Sequence, residues 1–227
     1  MTNQLILTGL FLTGIFLLLV FNEMVYHRLE LTGEFTRKFA HLTGTLSTIL
    51  FPYIFNDHWY VFFLAVAFFI LLFLSRNSSY LRSIHDINRP SMGSYLLPAA
   101  IYITFLISFE QENRLLFILP MLILAICDPL AGMLGINITT HNHQIRIFSR
   151  KLNKTWIGSL SFFISSFLIS TIALYLHHTY FNLQVFLLAI IIATVGTLVE
   201  MFSWKGSDNL FVPLSVLTVL YFWGSMA

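Results

Sequence analysis

Residues 115–134 read LLFILPMLILAICDPLAGML, twenty positions with one charge, Asp128, and otherwise apolar or small side chains. A helix needs roughly 20 predominantly apolar residues to cross the ~30 Å hydrocarbon core of a bilayer. In that medium the backbone must satisfy its own polar groups, which favours a helix. The stretch therefore reads as a transmembrane helix with a carboxyl group towards one end. Seven more stretches of similar character flank it: Gln4–Phe21, Phe39–Phe55, Trp59–Leu74, Ser91–Phe109, Ile157–His177, Val185–Phe202 and Leu210–Trp223. The second, third and last spans of the full set are short, so seven to nine spans bracket the count and eight is expected. The expected fold is an all-α, polytopic transmembrane helical bundle, one domain over residues 1–227, with cytoplasmic loops near 22–38, 75–90, 135–156 and 203–209.

Composition agrees. Hydrophobic residues make up 57% of the chain and charged residues 10%, with a mean hydropathy of +0.81. Soluble domains carry about 25% charged residues. A net charge of +2 gives no footing for a nucleic-acid partner. The single cysteine, Cys127, excludes an intrachain disulfide. The N-terminal block lacks the basic n-region and small-residue cleavage site of a secretory signal, so it reads as a retained first helix.

The basic residues set the orientation. Eleven of the 12 Lys and Arg residues fall in odd-numbered loops, and only Arg114 falls in an even-numbered one. Positive charge is retained on the cytoplasmic side. Odd loops are therefore expected to be cytoplasmic, with both termini on the other side. The expected setting is a bacterial inner membrane with a cytoplasmic active site.

The polar residues suited to chemistry sit at those same helix ends. Arg37, Lys38 and His41 open the second span, and Arg37, His41 and Gly44 share a face at i, i+4, i+7 spacing. The plainer alternative is an interfacial basic anchor with a helix-packing histidine. Asp128 shares a face with Ala131 and Gly135, where small residues let a backbone or ligand approach closely. An ionisable group at membrane depth usually has a partner or a task; the plainer alternative is a cap on a helix broken at Pro129. Arg150, Lys151, Lys154 and Thr155 lead into Gly158 and Ser159 at the start of the sixth span. Cations, a hydroxyl and the unpaired N–H groups of a helix start suit a phosphate. Glu200 shares a face with Gly196 and Ser203, and Asp208 and Asn209 turn the chain into the last span. Carboxylates beside a basic loop are what a Mg²⁺–polyphosphate site requires.

Other features carry less. His141, His143, His177 and His178 lack companions at zinc spacing and read as solvated histidines. Arg76, Arg82 and Arg89 read as interfacial anchors. There is no P-loop and no dinucleotide fingerprint in the chain.

Together the motifs resemble those of the phytol kinase and dolichol kinase family, CTP-dependent membrane kinases of isoprenoid alcohols. Arg37-Lys38-x-x-His41 is similar to that family's Arg-Lys-x-x-His. Asp128-x-x-Ala131-x-x-x-Gly135 is similar to its Asp-x-x-Ala-x-x-x-Gly element. Ser149 to Ser159 resembles its basic Lys-Thr-x-Glu-Gly-Ser loop. Glu200 through Asp208-Asn209-Leu210-x-Val212-Pro213-Leu214 resembles its C-terminal element. The middle motifs are shared in part with phosphatidate cytidylyltransferases. Two departures stand out: Ile157 replaces the family's Glu, and residues 137–144 replace a Gly/Arg-rich run.

The resemblance implies Mg²⁺- (or Mn²⁺-) dependent transfer of the terminal phosphate of CTP to a membrane lipid alcohol. Asp128 with Glu200 or Asp208 is then expected to hold the metal. Arg150, Lys151, Lys154, Thr155, Gly158 and Ser159 are expected at the phosphates, with Arg37 and Lys38 there or at the leaving group. His41 or a carboxylate is expected to take the alcohol proton, with Lys154 among the catalytic groups and Asn209 and Gly135 supporting the site. Two alternatives are CDP-lipid synthesis and a non-catalytic lipid-binding role. The transporter reading is weaker, because transporter sites lie near the midplane.

Overall fold

A computed structural model describes residues 2–29, 33–75, 81–85, 91–140, 142–147 and 150–224. The chain is a polytopic helical bundle with, among the described residues, eight long helices: α1 (Thr2–Leu29), α2 (Gly33–Thr48), α4 (His58–Ser75), α6 (Gly93–Glu110), α7 (Leu115–Asn137), α8 (Trp156–His178), α9 (Leu183–Phe202) and α10 (Asp208–Gly224). Two one-turn helices, α3 (Phe51–Ile54) and α5 (Arg82–His85), complete the set. Six helices are long and apolar enough to cross a membrane, and α10 is a shorter apolar helix. The second expected span falls on α2 and α3, where α2 is more polar than the other helices, so the described helices are roughly consistent with about eight spans.

Helix α7 is the hub. It packs against α2, α6, α8 and α10, and α9 closes the group by packing on α8 and α10. Ile123, Leu124, Ile192, Val212 and Val216 are fully buried where these helices meet. A second core lies at α3, α4, α6 and α7, where Phe51 packs its ring against Phe11, Phe55 and Phe117. The outward residues are as apolar as the inward ones: Leu10, Phe63, Leu176 and Leu183 are all more than 60% exposed. Water would penalise such a surface; hydrocarbon would not.

Three details differ from the sequence reading. First, α1 continues to Leu29, two turns beyond the apolar block, and Glu23 and His27 pair across one of those turns at 3.0 Å. Second, α7 does not break at Pro129. It runs on to Asn137 through both Pro120 and Pro129, so Asp128 is a helical residue and no cap. Third, the loop after α7 holds a hairpin, β1 (Gln144–Ile147) with β2 (Arg150–Thr155), antiparallel and bulged between Gln144 and Arg146. It adds a small β element to an otherwise helical chain.

Candidate active site

Lys154 is the next-to-last residue of β2, and Thr155, which ends the strand, is the N-cap of α8: its hydroxyl accepts from the Gly158 N–H at 3.2 Å. Two glycines let α7 and α8 meet here. A Cβ at Gly135 would lie 2.8 Å from Thr155 Oγ1, and one at Gly158 would lie 3.0 Å from the Ala131 carbonyl oxygen. This close approach carries Asp128 of α7 and Lys154 to the same polar pocket. Asn142 clamps the join from the other side. Its amide donates to the Gly135 and Ile138 carbonyls, and its oxygen accepts from Ile157 N at 3.1 Å.

Lys154 Nζ lies 2.5 Å from Glu200 Oε1 and 3.0 Å from Asp208 Oδ2, which joins β2, α9 and α10 at one point. Ser159 donates to the other Glu200 oxygen at 3.4 Å. The Glu200 side chain is only 3% exposed. Burial opposes the charge on Lys154, but the carboxylates of Asp208, Glu200 and Asp128 outweigh it and raise its pKa above the ordinary lysine value.

A second pair faces this triad. Lys38 of α2 reaches across to α7 and donates to Asp128 Oδ2 at 2.7 Å and to the Asp128 carbonyl oxygen at 3.2 Å. Gly132 makes room: a Cβ there would lie 2.8 Å from the lysine's Cε and Nζ. One turn before, Glu34 accepts from Arg37 at 2.7 and 3.0 Å. One turn after, His41 Nε2 lies 3.3 Å from the Leu124 carbonyl oxygen. A carbonyl can only accept, so this contact places the ring proton on Nε2 and leaves Nδ1 as the open acceptor of the neutral imidazole.

The pocket of about 380 Å³ collects nearly every residue singled out in the sequence: Arg37, Lys38, Asp128, Gly135, Lys154, Thr155, Gly158, Ser159, Glu200, Asp208 and Asn209 line it. His41 does not. It lines an adjoining apolar cavity of about 430 Å³ between α1, α2, α4 and α6. Arg37, Ser91 and Asn209 border both spaces. The side chains of Arg82, Arg150 and Lys151 lie outside the described residues, as do Arg76, Arg89, His141 and Ser149. Ile157, the departure from the resemblance, does not line the pocket.

Sequence reasoning missed Glu34, Gly93 and Asn142. Asn209 donates to the Gly93 carbonyl at 2.8 Å, and Gly206 sits against Gly93 with φ +84°. A Cβ at Gly206 would come within 2.5 Å of the Gly93 nitrogen. This backbone contact ties the start of α6 to the turn before α10. Nothing in the spacing of the Ser91–Phe109 stretch marks Gly93 as a contact for a turn more than 100 residues away.

Among the described residues no group of three or more His, Cys, Asp or Glu stands ready to hold a metal ion. The carboxylates are instead turned to lysines. Glu200 and Asp208 nonetheless place two oxygens within 3.0 Å of one cationic point, the Lys154 ammonium, which stands in for a cation there. That donor set fits Mg²⁺, which takes one or two carboxylates with substrate phosphates.

A family model described as "Cytidylyltransferase family" matches residues 3–203. Among curated proteins, phytol kinase of Synechocystis sp. is 28% identical over 191 residues, which covers 83% of this chain and 79% of that protein. No solved structure matches.

Proposed function

Because the chain belongs to the cytidylyltransferase family, we propose that it is a lipid-alcohol kinase that takes the terminal phosphate of CTP. The observation that carries this reading is the pairing of spaces: a pocket of lysines and carboxylates opens beside an apolar cavity, and three polar residues border both. A phosphate donor and an oily acceptor need that adjacency. The likeness to a protein named phytol kinase supports the same direction.

Phosphoryl transfer asks a protein mainly for positioning and for positive charge around the moving group. Incoming phosphates compete with carboxylates for Lys154 and Lys38. The Thr155 hydroxyl, which accepts from the Gly158 N–H, keeps its own proton to donate to a phosphate oxygen. Arg37 would turn from Glu34 to the transferred group, since it borders the acceptor cavity as well. The acceptor oxygen bonds to the terminal phosphorus as the bond to the nucleoside diphosphate breaks. The hydroxyl proton passes to Nδ1 of His41, whose Nε2 is fixed on the Leu124 carbonyl.

Two of the carboxylates Asp128, Glu200 and Asp208 would hold Mg²⁺ or Mn²⁺, with substrate phosphates supplying further oxygens. Such an ion, when bound, neutralises phosphate charge. The cytoplasmic placement of the pocket rests on the charge asymmetry of the loops.

The family description favours one other reading, cytidylyl transfer to a lipid phosphate with release of pyrophosphate. The fate of label separates the two. Purified protein in nanodiscs is given CTP labelled at the α- or the γ-phosphorus, Mg²⁺, and lipid alcohols or phosphatidate. Expected is γ-label in a lipid monophosphate, α-label only in soluble CDP, and loss of transfer with EDTA. Label from the α-phosphorus in a lipid would select the cytidylyl reading, and no labelled lipid with any acceptor would refute both.

A further inference from the structure

We infer that the apolar cavity beside α2 seats the hydrocarbon tail of the acceptor, that it takes a single chain, and that Gly44 keeps it open. This inference rests on reading the polar pocket as the phosphoryl-transfer centre. The α2 wall is a single stripe, Arg37, Ala40, His41, Gly44 and Thr48, so one helix face runs the length of the space. From Arg37 to Thr48 is about 16 Å at ~1.5 Å per residue. That is about half of the ~30 Å hydrocarbon thickness, the depth of one leaflet.

The lining changes character along this length. Arg37, Ser91 and Asn209, shared with the polar pocket, mark one end, with His41 one turn further along. Leu64 and Phe51 line the space beyond Thr48. Phe51 is 2% exposed and locked among the rings of Phe11, Phe55, Phe105 and Phe117, which makes it a fixed floor. A molecule polar at one tip and apolar along its body fits such a gradient.

Gly44 carries the argument further. Glycine inside a helix costs roughly 0.5–1 kcal/mol relative to alanine, so a packed neighbour would normally explain it. Here a Cβ would meet nothing within 4 Å. Among the described residues no neighbour approaches this point, and Gly44 faces the cavity. At about 430 Å³ the cavity sits low in the ~300–1,000 Å³ range of small-ligand sites. That suits one chain better than two.

The test uses purified protein in nanodiscs without nucleotide and a long-chain primary alcohol carrying a diazirine near its far end. Photolabelled residues are mapped by mass spectrometry. Expected is saturable labelling at Thr48, Phe51 or Leu64, displaced by unlabelled single-chain alcohol. Gly44→Leu is expected to cut that labelling at least tenfold, while Gly44→Ala retains it. Ala65→Phe, which fills the same space from α4, should act like Gly44→Leu and serves if that variant does not fold. Labelling scattered over outward residues such as Phe63 and Leu176, or indifferent to both filling variants, would overturn the inference. Equal displacement by a diacylglycerol would overturn its single-chain part. Cavity labelling without turnover would instead refute the kinase reading, so the two failures are distinguishable.

Discussion

Lys154→Met is expected to reduce phosphoryl transfer by about 10³-fold or more, the scale seen when a charge-stabilising group is removed from a transition state. It should also weaken the fold. Among the described residues, Lys154 is the point at which β2, α9 and α10 share an ion pair, and without it Glu200 and Asp208 lose that cation. Breaking a buried pair by removing one partner costs about 3–5 kcal/mol. The two effects separate with Lys154→Arg, which keeps the charge but not the compact ammonium. Thermal unfolding should return close to the parent while turnover recovers only in part. If Lys154→Arg restores both fully, Lys154 acts on the fold and not on phosphate.

The pH dependence follows from the same contacts. The pKa of Lys154 is raised, so the charge is complete below the ordinary lysine value and is lost only above it. The pair's contribution to stability should therefore stay constant through neutral and mildly alkaline pH. Any alkaline loss of activity below that range must come from another group.

Asp128→Asn is the second large effect. The shape of the side chain is kept, but Lys38, whose own side chain is 11% exposed, is left as a charge without its carboxylate. A fall in turnover of at least about 10²-fold is expected, together with lower stability. Adding Lys38→Met removes the stranded charge. The double variant should regain stability but not activity, with a coupling of roughly 0.5–3 kcal/mol in the unfolding cycle. Unfolding and single-turnover measurements on the four proteins read this directly. Intact turnover in Asp128→Asn would remove Asp128 from the chemistry.

The membrane fold could be read from the sequence because lipid imposes one strong rule: long apolar runs form helices. The gathering of polar groups at one end of the bundle followed from the loops that carry Lys and Arg. The face shared by Arg37, His41 and Gly44 was legible from helical spacing alone, and Arg37, His41 and Gly44 do line one cavity. Ion-pair choice was not legible. Lys38 meets Asp128 across 90 residues and Lys154 meets Glu200 across 46, and only helix packing decides which acid serves which lysine. The β1–β2 hairpin escaped notice because strands of four and six residues leave little periodicity beside strong helical runs. The role of Asn142 was hidden for a related reason: it lies in the stretch that departs from the resemblance, and its contacts are to backbone.

The central claim is that the pocket between α2, α7, α8 and α10 receives the nucleotide from the cytoplasmic face. Asn153 is exposed and lines that pocket, whereas the native Cys127 is fully buried. Asn153→Cys can therefore be probed with a membrane-impermeant maleimide in vesicles of either orientation. Expected is rapid labelling in inside-out vesicles, slowed at least tenfold by CTP with Mg²⁺, and none in right-side-out vesicles. Labelling from the outer face, or labelling that CTP with Mg²⁺ leaves unchanged, would contradict the claim.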